Sequence, residues 1–217
     1  MFPQARLATV FLAVAAVMAV TAALGPAPAE AAAPRFQVSG FGAYRVGGDF
    51  EAGEEDAQRS ADLEEGGGWG LGLGLYRDAS SWYEFLYSRQ STGFSKADAV
   101  AGSPDVTTEY FHLGGSLQFD PAAYLDSWLS LTVGVTRFTA DGFSAESEFS
   151  ASLGTGLAVP LGERAAVLLG VRGYLTFVDQ DTRFFCSSID GIGSCLLNSS
   201  GGTVFQAEAS LGLRVDF

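Results

Sequence analysis

The sequence predicts an all-β fold, an eight-stranded antiparallel up-and-down transmembrane β-barrel. Three observations lead there. The last thirteen residues, Phe205 to Phe217, alternate without a fault between an apolar set ending in Phe217 and a set of polar or small residues. Earlier segments repeat that period of two, the pattern of a strand with one apolar and one polar face. No apolar run beyond the N-terminal region is long enough for a membrane helix, although 47 % of the chain is hydrophobic and 12 % aromatic.

The N-terminus has the three regions of a secretory signal peptide. Met1 to Arg6 carries one arginine, Leu7 to Leu24 is apolar, and Pro26 to Ala33 is small-residue rich with Ala29-Glu30-Ala31 as an A-x-A site. An uncleaved anchor is the alternative, since the run approaches the length of a spanning helix. The small-residue region and the lack of a later basic stop-transfer cluster favour cleavage, and no Cys offers a lipid anchor. Residues 1–31 are therefore assigned to a cleaved signal and 35–217 to the barrel, about 185 residues and one domain. The net charge of −13, with Lys96 the sole lysine, excludes the clustered basic surface that nucleic acid requires.

Strands are expected near 35–45, 67–76, 82–91, 107–119, 128–138, 146–159, 165–178 and 203–217. Each can cross a bilayer when tilted, which takes about nine to eleven residues. The first is the weakest, with Phe36 and Val38 clear and glycines beyond them. In the second, Trp69, Leu71, Leu73 and Leu75 alternate with Gly70, Gly72, Gly74 and Tyr76. The fifth sets Leu129, Leu131, Val133 and Val135 against Ser130, Thr132, Gly134 and Thr136. The sixth sets Phe149, Ala151, Leu153 and Leu157 against Ser150, Ser152, Gly154 and Gly156. The seventh sets Val167, Leu169, Val171, Leu175 and Phe177 against Gly170, Arg172, Tyr174 and Thr176.

A soluble β-sandwich is the competing architecture. Three details favour the membrane barrel. The partner face is Gly, Ser and Thr with few charges, which suits a narrow lumen rather than water. Pro104, Pro121 and Pro160 all fall in expected connections, as uninterrupted ladders require. Short links near 77–81, 120–127 and 160–164 alternate with longer ones near 46–66, 92–106 and 179–202, with 139–145 the exception. Even strand number puts both termini on one side, and the aromatics then form two girdles. Phe36, Tyr83, Phe119 and Phe217 lie near the rim that holds the termini. Trp69, Phe111, Phe149, Phe177 and Phe205 lie toward the other.

The closing segment Leu211-Gly212-Leu213-Arg214-Val215-Asp216-Phe217 resembles the sorting and assembly signal of bacterial outer-membrane barrels. Together with the loop from Phe185 through Cys195, it makes the chain similar to the small eight-stranded, porin-like barrels of the OmpA and OmpX type. The resemblance spans the mature chain as a strand pattern, and implies an outer-membrane location with both termini periplasmic. It implies outer-membrane lipids and lipopolysaccharide as surroundings, and periplasmic chaperones and the barrel assembly machinery as partners in biogenesis. Phe217 would be the assembly signal. Architecture transfers this way; activity does not.

Function is sought first in inward charge. Glu84, Glu148, Arg172, Glu208 and Arg214 fall on the lumen face, with Arg172 and Glu208 on adjacent strands. A charge in a narrow lumen is costly unless paired, so ion pairs or shared water are expected. They could form a selectivity filter for small solutes, or a sealed salt-bridge network as the resemblance implies. Eight strands leave room for side chains and little else, which favours the plug.

Cys186 and Cys195 flank Gly191 and Gly193 in the last long loop, and an exported chain is expected to close them as a disulfide. Metal-binding thiols are the alternative, but one His in the chain leaves zinc short of ligands. Asp49, Glu51, Glu54, Glu55, Asp56, Asp62, Glu64 and Glu65 crowd the first loop. Their oxygens could hold a divalent cation, but no EF-hand spacing is present and a solvated loop fits the composition better. His112, placed in the lumen beside Tyr110 and Gly114, is the one candidate base. Lipid A deacylase barrels carry a Ser two residues after their His, where this chain has Gly114. Without a nucleophile and an orienting group, no enzyme is expected. No cofactor or metal is expected, and the surface ligand is left open.

Overall fold

A computed structural model describes residues 36–50, 61–92, 94–95, 106–122, 125–140, 145–178, 183–189, 192–198 and 202–217. They fall in the unit Pro34–Phe217; the other, Met1–Ala33, lies outside the described residues together with the expected signal peptide. Eight strands close a barrel: β1 (Phe36–Gly47), β2 (Gly66–Asp78), β3 (Ser81–Thr92), β4 (Val106–Ala122), β5 (Leu125–Ala140), β6 (Glu146–Pro160), β7 (Ala165–Val178) and β8 (Gly202–Asp216). Every strand pairs antiparallel with its neighbour in sequence, and β1 pairs with β8 from Gln37↔Asp216 to Gly47↔Gln206. Closure matters because lipid offers no partner for an edge N–H or C=O. The eight strands lie within a few residues of their expected positions. β4 and β5 run longest beyond them, and β4 takes in Pro121, expected in a connection, past a register shift between Phe119 and Ala122.

The seam is fastened at its end. Phe36 and Phe217 exchange backbone hydrogen bonds of 3.3 and 2.9 Å, and their rings stack at 4.9 Å. On the same side as the termini, the connections are the short stretches 79–80, 123–124 and 161–164. The opposite side has 48–65, 93–105, 141–145 and 179–201. Two small sheets decorate that side. One pairs Asp49–Phe50, Ala61–Leu63 and Phe94–Ser95, and the other is a ribbon of Arg183–Ile189 and Ile192–Asn198.

Period two becomes an inside-out molecule. Among the described residues, the buried set holds 19 polar or charged side chains against 11 apolar ones, the reverse of a water-soluble core. Leu71, Leu73 and Leu75 on β2, Leu129 and Leu131 on β5, and Leu211 and Leu213 on β8 all face outward and are exposed. An apolar band running round the whole wall is far beyond what a monomer leaves in water, and it fits a lipid surface. Aromatics border it at both ends. Phe36, Phe119 and Phe217 stand at the rim with the termini, while Trp69, Tyr87 and Phe111 pack in series at 5.5 and 5.0 Å toward the other. Phe149 and Phe177 continue that second band at 5.8 Å.

Candidate lumen plug

The inward residues of β1, β3, β7 and β8 meet in a layer across the barrel. Arg45, near the end of β1, reaches Glu208 of β8 at 2.6 Å; the two side chains are 1 % and 2 % exposed. The same guanidinium nitrogen, Nη2, donates to Ser88 Oγ at 2.6 Å, and Ser88 donates to Glu208 at 3.0 Å. Tyr174 OH donates to the other oxygen of Glu208 at 3.2 Å. Tyr174 stacks on Tyr110 at 4.0 Å, and Arg45 lies over both rings, 4.9 and 5.2 Å from their centroids. Arg45 Nε and Nη1 find no hydrogen-bond acceptor, so the ring faces supply what stabilisation they have. Tyr110 OH donates to Gln206, whose amide in turn donates to the Gly47 carbonyl. Beyond this layer, away from the termini, Val106, Phe138, Ala140, Val178 and Val204 are buried as an apolar stopper.

A second cluster lies nearer the termini. Arg172 pairs with Glu84 at 3.1 Å and donates to Ser152 at 3.0 Å. Glu84 also accepts short hydrogen bonds from Ser116 and Ser130. Gly154 makes room for this, because a Cβ there would lie 3.0 Å from Arg172 Cζ. His112 is tied at both ring nitrogens, Nδ1 to Thr132 at 2.9 Å and Nε2 to Ser150 at 2.8 Å. Thr132 continues to Ser152 at 2.6 Å. Although Ser150 touches the imidazole, the opposite nitrogen meets a threonine rather than a carboxylate, and both residues are fully buried. Two hydroxyls thus satisfy both nitrogens of the ring inside the lumen.

Below both clusters is a cavity of about 60 Å³, bordered by Glu84, Arg172, Glu208, Ser210 and Arg214. It has space for a few waters. At the rim, Arg214 pairs with Asp216 at 3.3 Å, and Tyr76 OH bridges Asp216 and Gln37 at 2.9 and 3.0 Å.

Glu84, Arg172, Glu208 and Arg214 thus point inward, and half-buried Glu148 shares the inward face of β6 with Ser150. Their pairing is less direct than adjacency suggests. Arg172 and Glu208 face each other in register, yet Arg172 reaches across to Glu84 and Glu208 takes Arg45. Arg45 is the residue that sequence reasoning passed over. Its parity with Gln37, Ser39 and Phe41 marks it as inward, but Gly40 and Gly42 blank the lipid face of β1 and blur that signal. Cys186 stands opposite Cys195 in the ribbon's register, while their side chains lie outside the described residues. So do residues 51–60 of the acidic loop; no metal-holding group of His, Cys, Asp and Glu occurs among the described residues.

A search of solved structures returns barrels of this size. Neisserial surface protein A aligns with 87 % of this chain and 100 % of its own, at 16 % identity and a TM-score of 0.53. The fold is that of the small outer-membrane β-barrels. Outer membrane protein AlkL, solved in lipid bilayers, covers 89 % of this chain and 96 % of its own at 16 % identity and a TM-score of 0.58. OprG from Pseudomonas aeruginosa covers 85 % and 96 % at 13 % identity and a TM-score of 0.55. No protein-family model matches the sequence, and no curated protein matches it in sequence. At such identities the small outer-membrane barrels lend this chain a fold and nothing more.

Proposed function

We propose that this protein is a bacterial outer-membrane barrel with a packed lumen, serving as a structural and surface-interaction protein rather than an open pore. The layer of Arg45, Glu208, Ser88, Tyr110 and Tyr174 carries that reading. Its members are at most 3 % exposed, so the layer is withdrawn from both mouths of the barrel. An ion entering there would have to break a desolvated ion pair and prise apart a stacked pair of rings, and no wider route is open to an eight-stranded wall.

Location and orientation follow the same way. The apolar wall, the short connections beside the termini and the likeness to outer-membrane barrels support a periplasmic rim at Phe36 and Phe217. Residues 1–31 would be removed on export, and Phe217 would present the assembly signal to the insertion machinery. The interaction role falls to the opposite end, where the ribbon holding Cys186 and Cys195 would be locked by a disulfide.

One observation favours a second reading, a narrow channel for ions or small polar solutes. The charged cavity at Glu84, Arg172 and Arg214 lies on the side of the termini, like a half-formed vestibule. Liposome swelling separates the two. Vesicles carrying the refolded protein should shrink and stay shrunken in small sugars and amino acids; rapid re-swelling would overturn the plug.

A further inference from the structure

One row of outward side chains breaks the apolar wall. Arg89 of β3 stands opposite Trp69 of β2 and Glu109 of β4, and Glu109 stands opposite Arg137 of β5. The row just toward the termini is Leu71, Tyr87, Phe111, Val135 and Phe149, wholly apolar or aromatic. The row just beyond it holds Ser91, Thr107 and Thr139, with Ser91 and Thr107 hydrogen-bonded at 3.0 Å. Arg89 and Arg137 therefore sit where the wall passes from hydrocarbon-like to polar, the level of lipid headgroups.

Both arginines are exposed, and among the described residues neither makes an ion pair. Glu109, between them, accepts the Tyr87 hydroxyl at 2.7 Å, and Arg89 lies beside that same hydroxyl. The intervening acid is thus held by the girdle, while both arginines lie exposed on the outward face. A planar guanidinium fork, with five N–H donors of which the Tyr87 hydroxyl engages few, matches phosphate oxygens. With one strand between them, the arginines are about 10 Å apart, a span suited to two phosphate groups on one headgroup or on neighbours.

We propose that Arg89 and Arg137 form a paired seat for the phosphates of an outer-leaflet lipid. Such an annular site would anchor an acidic chain in an anionic surface, and it rests on the barrel spanning that membrane. The test uses a Trp82→Phe/Trp128→Phe background, which leaves Trp69, beside Arg89, as the sole tryptophan of three. In vesicles of chain-brominated phosphatidylcholine, Trp69 is quenched; adding unbrominated, doubly phosphorylated lipid A should restore its emission. Arg89→Gln and Arg137→Gln should each cut the preference roughly fivefold, the share one basic residue contributes at an anionic surface, and the Lys variants should keep most of it. Native mass spectrometry of the wild type released from mixed nanodiscs gives the same ratio if the background folds poorly.

An undiminished preference in the double Gln variant would overturn the proposal. So would equal enrichment of a phosphate-free anionic lipid, or displacement of the lipid by inorganic phosphate at matched concentration. Protease protection in pure phosphatidylcholine vesicles reports spanning separately. Its loss would count against the membrane barrel itself, and its retention with no lipid preference against this site alone.

Discussion

Replacing Arg45 by Met probes the lumen layer directly. The ion pair with Glu208 measures 2.6 Å, and both side chains are almost fully buried, so solvent screening does not reduce it. Arg45→Met leaves Glu208 in the barrel without its cation and with only the hydroxyls of Ser88 and Tyr174 as donors. Removing one partner of such a pair costs about 3–5 kcal/mol. Loss of the guanidinium from the Tyr110 and Tyr174 faces places the expectation toward the upper end of that range. The double variant Arg45→Met/Glu208→Leu removes both charges and should recover most of the loss. A residue of about 1–2 kcal/mol remains for hydroxyls left without an acceptor. Urea titration of the protein folded into phospholipid vesicles, followed by tryptophan fluorescence and extrapolated linearly, gives both values. A single-variant loss below about 1 kcal/mol, the range of exposed ion pairs, would refute the reasoning. A double variant as unstable as the single would refute it too.

Other outcomes follow from single contacts. Gly70→Ala drives a methyl into the Phe41 ring and to 2.6 Å from the Tyr87 carbonyl; it should cost about 1–3 kcal/mol in the same titration. Gly42→Ala, whose Cβ meets nothing within 4 Å, should be neutral by comparison. His112→Ala strips Thr132 and Ser150 of a buried partner and should lower stability by about 1–3 kcal/mol. Deleting Phe217 removes the ring stacked on Phe36 and two seam hydrogen bonds. The unheated protein should then fold more slowly by gel mobility, with an unchanged rate contradicting the seam's role. Thiol alkylation before and after reduction should add mass only after reduction if Cys186 and Cys195 are joined.

The fold was legible because lipid enforces period two on every strand and tolerates no open edge. Leu211, Leu213 and Val215 could be assigned to the wall, and Glu208 and Arg214 to the lumen, from parity alone. The partners inside could not. Which side chains meet across a barrel depends on strand tilt and stagger, which parity does not encode. Arg172 therefore passes over Glu208, its neighbour in register, to reach Glu84. Arg45 was hidden for a different reason, since glycines on the lipid face of β1 remove the apolar beat that marks its opposite face. The Tyr110–Tyr174 stack joins strands β4 and β7, far apart in sequence, and nothing local announces it.

Single-channel recording of the refolded protein in planar bilayers tests the central claim most directly. A lumen closed by Arg45, Glu208, Tyr110 and Tyr174 predicts a silent wild type, with openings appearing only when Arg45 or Glu208 is replaced by a smaller neutral residue. Stable wild-type openings whose conductance changes on neutralising Arg172 or Glu208 would contradict it, and would make the barrel a channel.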